Sequence, residues 1–156
     1  YLERARELNP ELPNLFYHYA QMYEEMGDII KAEQAYQQEL EHVPHNFRAM
    51  FNLSRLYRLQ GDPDKELEYL EKTIETNPRF PMSYFYKARI YLNRGENYTE
   101  AIEWVKKGIE MEPGKKDLPL GYFLLADLYN RVGDMAKSQE YARKGEEASR
   151  EAENGK

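Results

Sequence analysis

The sequence predicts an all-α chain, a solenoid of antiparallel helix pairs. Three observations carry that prediction. Prolines fall at Pro10, Pro44, Pro78 and Pro113, spaced 34, 34 and 35. Glycines Gly27, Gly61, Gly95 and Gly133 follow at intervals of 34, 34 and 38. Each period also holds two amphipathic segments. A fixed period in this range is the mark of stacked helical or solenoid units. The two registers agree, apart from one extra residue near Asn97 and a longer loop at 116–118.

The first segment of the second period is "FRAMFNLSRLYRLQ". Met50, Leu53, Ser54 and Tyr57 lie on one stripe of a helix, at i, i+3, i+4 and i+7. The phrase "LYRLQGD" closes it and recurs as "MYEEMGD", "IYLNRGE" and "LYNRVGD". Recurrence marks architecture, because a catalytic motif normally occurs once. Gly61 and its counterparts stop the helix, since glycine takes the left-handed C-terminal conformation without steric cost. Asp28, Asp62 and Asp134 suit the start of the next helix, through capping and the helix dipole. That second helix, "DKELEYLEKTIE", ends before Asn77-Pro78, because the residue before proline disfavours helix. The unit is helix–turn–helix.

Small residues Ala20, Ser54, Ala88 and Ala126 recur at one position of the first helices, and Ala32, Ala101 and Ser138 at one position of the second. Small side chains at facing positions let two helices approach closely. Tyr23, Tyr57, Tyr91 and Tyr129 read as packing residues. This pattern resembles the tetratricopeptide repeat family, over nearly the whole chain. Residues 13–46 supply Phe16, Tyr19, Ala20, Tyr23, Gly27-Asp28, Ala32, Tyr36 and Pro44 of its signature. Residues 47–80 supply Met50, Leu53, Ser54, Tyr57, Gly61-Asp62, Leu70 and Pro78. Residues 81–118 supply Tyr84, Ala88, Tyr91, Gly95, Ala101, Val105 and Pro113, with a longer exit loop. Residues 119–150 supply Tyr122, Leu125, Ala126, Tyr129, Gly133-Asp134, Ser138 and Ala142. The resemblance implies a right-handed superhelix. Residues 1–12 match the second helix of a preceding repeat, with Leu2, Ala5, Leu8 and Pro10 in register, and 151–156 read as a tail.

Three departures from the family pattern matter. Glu66 stands where the family has a small alanine, so that hairpin must open slightly or direct its carboxylate outward. Lys87 replaces a leucine. The last helix, "AKSQEYARKGEEASREAE", puts Gln139 and Glu146 at normally apolar positions, as a terminal capping element requires. The opening "YLERARELNP" reads as the middle of a helix. The beginning of the array is therefore expected upstream, and no targeting signal or localisation can be read.

Composition narrows the function classes. A chain with 41% hydrophobic and 32% charged residues suits a folded domain rather than a disordered one. No apolar run approaches the ~20 residues of a membrane span, so no membrane insertion is expected. The absence of cysteine removes disulfides, thiolate metal sites and cysteine nucleophiles. A net charge of −6 argues against broad nucleic-acid binding. His42 and His45 flank Pro44 in a linker with no third ligand in view, and His18 reads as an ordinary helix residue. Each glycine is isolated in the repeat, not gathered in a phosphate loop. No cofactor, metal or enzymatic activity is expected.

The resemblance implies a protein–protein interaction module whose first helices line a concave face. On those helices the stripe leaning away from the packing face reads Tyr17-Gln21-Glu24, Phe51-Arg55-Arg58, Phe85-Arg89-Leu92 and Phe123-Asp127-Asn130. Arg48, Asn52 and Tyr86 lie beside it. Aromatic and arginine side chains are enriched at interface hot spots, and arginine forks onto carboxylates. The expected groove is therefore Tyr17, Gln21, Arg48, Phe51, Asn52, Arg55, Arg58, Phe85, Tyr86, Arg89, Phe123 and Asp127. An extended peptide or protein surface is the expected partner, with Phe51 and Phe85 as apolar platforms and Arg55 and Arg89 engaging carboxylates. The competing reading is that these aromatics only pack between first helices. The clamp by which some members hold the C-terminal carboxylate of heat-shock chaperones is absent: its positions hold Tyr17, Gln21, Asn52, Met82 and Tyr86, and only Asn52 agrees. A second class of function stays open, a C-terminal docking or self-association module of a larger protein, with an enzyme domain upstream as one case. Leu2 and Leu8 would form its self-associating edge.

Overall fold

The computed structural model describes residues 14–155 continuously, together with Arg4, Glu7 and Leu12. The residues that carry the expectations for 1–12, Leu2, Ala5, Leu8 and Pro10, lie outside the described residues. Eight helices and no strand occur among those described: α1 (Leu15–Glu25), α2 (Ile29–His42), α3 (Phe47–Leu59), α4 (Pro63–Thr76), α5 (Pro81–Arg94), α6 (Tyr98–Glu110), α7 (Leu118–Arg131) and α8 (Met135–Asn154). The chain divides into two compact units between Asn77 and Pro78. In the first, α1 packs on α2, α3 on α4, and α2 against α3. In the second, α5 packs on α6 and α7 on α8, and α7 also meets α6 and α5.

The repeated phrase is a helix end and the next helix start in one stretch. Gly27, Gly61, Gly95 and Gly133 take φ of 75°, 74°, 75° and 84°, the left-handed region where a side chain would be strained. The N–H after each glycine then folds back to the carbonyl of the repeated tyrosine: Asp28 to Tyr23, Asp62 to Tyr57 and Asp134 to Tyr129 at 2.9 Å, and Glu96 to Tyr91 at 3.2 Å. This is the Schellman closure of a helix. Each aspartate then turns to the following helix, its carboxylate accepting from the N–H of Lys31, Lys65 or Lys137 at 3.0–3.1 Å. The third turn departs. Its extra residue, Asn97, caps α6 at φ 52° without a side-chain hydrogen bond.

Packing across each pair follows the small residues. Ala20, Ala32, Ala88 and Ala101 are fully buried. Above them a ring from the first helix meets a ring from the second: Tyr57 on Tyr69 at 5.4 Å, Tyr91 on Trp104 at 5.0 Å and Tyr129 on Tyr141 at 5.5 Å. Glu66 is buried at 4% exposure, so its carboxylate is not directed outward. Lys87 lays its ammonium over the Trp104 ring, 4.4 Å from the centroid, and so covers the aromatic with a cation where the family has an apolar side chain. Gln139 and Glu146 are exposed. The connection between α6 and α7 spans 111–117, and α8 continues to Asn154 through most of the segment read as a tail.

Candidate functional site

A pocket of about 400 Å³ opens in the first unit, lined by Tyr17, Gln21, Glu24, Glu25, Tyr36, Phe51, Asn52 and Arg55. Helix α1 contributes four of these residues, α3 three and α2 one. Five come from the groove read in the sequence: Tyr17, Gln21, Phe51, Asn52 and Arg55. A polar network ties the walls together. The Asn52 amide nitrogen donates to the hydroxyls of Tyr17 at 3.1 Å and Tyr36 at 3.0 Å. Tyr36 in turn donates to Glu24 at 2.5 Å. The other oxygen of Glu24 accepts from the Arg55 guanidinium in an ion pair. Burial, followed by the neighbouring Glu24 carboxylate, pushes the Tyr36 phenol well above its usual range. Tyr36 therefore stays a neutral donor.

Tyr17 is held from behind as well. Its backbone N–H, in the first turn of α1, donates to Glu39 at 3.2 Å. Glu39 is 1% exposed, and its second oxygen accepts from Asn46 at 3.0 Å. Asn46 also caps α3 by accepting from the Ala49 N–H, and reaches Asn14 with its amide nitrogen. A buried carboxylate is tolerable because both oxygens meet donors. The start of α1, the end of α2 and the start of α3 are thereby joined at one point.

The remaining predicted groove residues fare differently. Arg48 is exposed, with its guanidinium 5.7 Å from the Phe47 ring. Arg58 is half-buried on α3. In the second unit Arg89 lies over the Tyr86 ring at 4.5 Å, and Asp127 is exposed on α7. Phe123 is 40% exposed, with one edge seated where a Cβ on Gly145 would fall only 2.7 Å away.

Phe85 departs from the expectation outright. It is completely buried, so it cannot serve as a platform for a peptide. Its ring fills the space that side chains would need at two glycines: a Cβ at Gly108 would sit 2.6 Å from it, and one at Gly121 2.8 Å. The competing reading, packing between first helices, covers its contact with Gly121 on α7, while Gly108 lies on the second helix α6. The arginine expectation also changes its meaning, because the carboxylate that Arg55 meets is Glu24 of the same chain.

Sequence reading left Glu25 and Tyr36 out, and it placed Glu24 on the stripe without a role. A signal existed. Helices α3, α5 and α7 each carry an arginine in the last turn, whereas α1 ends on Glu24-Glu25. Among the described residues, no group of three or more His, Asp or Glu is placed to hold a metal ion, and no helix is long and apolar enough to cross a membrane.

Comparison with known proteins settles the family. Tetratricopeptide repeat models match residues 11–78, 69–103 and 121–151. The chain belongs to the tetratricopeptide repeat family. It shares that family's fold class, the all-α helical solenoid, and its general character as a protein-interaction scaffold. Protein IFIT1 homolog B of Homo sapiens is 23% identical over 161 residues, covering 92% of this chain and 34% of that protein. The chain thus spans about a third of the length of this curated relative. Among solved structures, "Crystal structure of MamA" has a TM-score of 0.79 at 16% identity, over 98% of this chain and 87% of that one. "MamA RS-1 ArsTM double mutant" has a TM-score of 0.76 at 19% identity, over 96% and 82%. At these identities the likeness is one of fold.

Proposed function

We propose that this tetratricopeptide repeat chain is a non-catalytic interaction module that holds a peptide or protein surface in the pocket of its first unit. The single observation that carries the reading is the convergence of Tyr17, Gln21, Phe51, Asn52 and Arg55 on one cavity. A volume of about 400 Å³ suits one or two side chains of a docked segment, since ligand pockets run from about 300 Å³ upward. The lining is the mixture such a site needs: aromatic faces for area, and polar groups to fix orientation. Hydrogen bonds hold Tyr17 and Asn52 in place, so little ordering remains to oppose binding. Burying an aromatic side chain contributes ~1.5–3 kcal/mol, against ~0–1 for an exposed ion pair. Phe51 and Tyr17 therefore dominate affinity in this reading, and the charged groups set specificity.

A photo-crosslinking residue at Gln21 tests it in cells, with the same residue at Glu68 on α4 as control. The expected result is a discrete crosslinked partner from position 21 that disappears when Phe51→Ala is added. Equal crosslinking from both positions, or no loss with Phe51→Ala, would place the docking surface elsewhere.

A further inference from the structure

We propose that the first-unit pocket takes a positively charged group of its partner, a guanidinium or ammonium, seated between the Tyr17 and Phe51 rings and the Glu24-Glu25 carboxylates. This rests on reading that pocket as the ligand site, and it names the ligand's chemistry.

Charge is the first argument. The pocket is lined by two carboxylates, Glu24 and Glu25, and one guanidinium, Arg55. Because Arg55 is already paired with Glu24, an incoming carboxylate would meet a matched arginine beside an exposed Glu25. The Arg55 Nε is itself shielded from solvent. A cation meets one carboxylate in excess, together with ring faces whose quadrupole attracts positive charge.

The same two glutamates stand at the end of α1. The carbonyls of a helix C-terminus carry partial negative charge, which disfavours acidic residues there and favours basic ones. Among the first helices of the pairs, α3, α5 and α7 follow this with Arg58, Arg94 and Arg131 in their last turns, whereas the second helices α4 and α8 carry no basic residue there. Helix α1 reverses it, with no basic residue and two glutamates. Those two glutamates place negative charge at the pocket end of α1.

The remaining amide atom points the same way. The Asn52 nitrogen is committed to the two tyrosine hydroxyls, so its oxygen is the atom left to a ligand, and that oxygen is an acceptor.

Two capped peptides, Gly-Ser-Gly-Arg-Gly-Ser-Gly and the same with Glu in place of Arg, test this by titration against the ¹⁵N-labelled chain. The expected result is saturating shifts of the Asn52 and Gln21 side-chain amides with the arginine peptide, weakened at least about threefold by Glu25→Gln. Glu25→Lys, a change at an exposed position, should invert the preference between the two peptides. Raising salt from 50 to 500 mM should weaken the arginine peptide, since screening shortens the reach of the charges. Saturating shifts at those amides with the glutamate peptide alone would overturn the charge assignment while leaving the pocket as the docking site. Shifts with neither peptide would overturn both. Arginine-peptide binding indifferent to Glu25→Gln and Glu25→Lys would overturn the charge assignment.

Discussion

In the first unit Tyr17 and Phe51 line a polar pocket; in the second, their repeat equivalents Phe85 and Phe123 turn onto glycine. The first-helix position is the same in all four cases, so the difference comes from what faces it. Seven residues after the small-residue position of each second helix stand Glu39, Thr73, Gly108 and Gly145. Glu39 and Thr73 are buried side chains that fill their sites. Gly108 leaves a hollow that the Phe85 ring fills, whereas Phe123 rests one edge against Gly145 and stays 40% exposed. Gly121 opens the far side for Phe85 as well. A glycine on the partner helix is not sufficient for burial: Phe85, flanked by Gly108 and Gly121, is fully buried, whereas Phe123 against Gly145 remains partly exposed.

The largest expected effect follows from that burial. Phe85→Ala should lower unfolding free energy by about 3–5 kcal/mol, as for fully buried rings generally, when measured by urea denaturation. Phe51→Ala, at a half-buried ring, should cost well under half as much; equal losses would erase the distinction. Next comes Glu39→Ala, which strands the Tyr17 N–H and the Asn46 amide in a buried place. A cost of about 1.5–3 kcal/mol is expected. Glu39→Gln should recover only part of it, because one carboxamide oxygen replaces two accepting oxygens and its NH2 faces a donor.

Gly108→Ala tests the hollow itself. Overpacking against Phe85 should cost about 1–3 kcal/mol, offset by up to about 1 kcal/mol of helix propensity. Phe85→Leu in the same chain should remove most of the loss. Gly145→Ala should be the milder change, because the part-exposed Phe123 has solvent to move into. A destabilisation matching that of Gly108→Ala would show that Phe123 is as tightly held as Phe85.

The smallest effect is alkaline. Burial first and a glutamate second raise Tyr36, through Glu24, and Tyr57, through Glu33. Because the folded values lie above the unfolded one of about 10, their contribution is whole below pH ~10 and is lost as pH climbs through the folded values. Phenolate absorbance should therefore show these two tyrosines ionising last, and the melting temperature should fall above pH ~10. Tyr36→Phe should flatten that fall. A melting temperature indifferent to pH up to 12 would contradict the burial of both phenols.

Much of this was legible in the sequence, for a physical reason. Gly27, Asp28 and Tyr23 act through backbone geometry within six residues, so the phrase that contains them can be read locally. The small residues at 20, 54, 88 and 126 announce close helix approach by period alone. The fate of Phe85 was not legible on its own helix, since the cue sits at Gly108 and Gly121, 23 and 36 residues away. Helix-interior glycines look like defects until they are aligned with Glu39 and Thr73. The partner of Arg55 was hidden likewise: Glu24 stood on the same stripe list, and only the packing of α1 beside α3 joins them. Glu66 allowed two readings, a slightly opened hairpin or an outward carboxylate, and its burial removes the second.

The division between a working ring and a core ring can be measured at the rings themselves. 4-Fluorophenylalanine placed at 51 and at 85 gives one ¹⁹F resonance each, and a soluble gadolinium chelate relaxes whichever ring solvent can reach. Strong relaxation at position 51 with a sheltered resonance at 85 is the predicted result. Comparable relaxation at both positions, or shelter at 51, would contradict it.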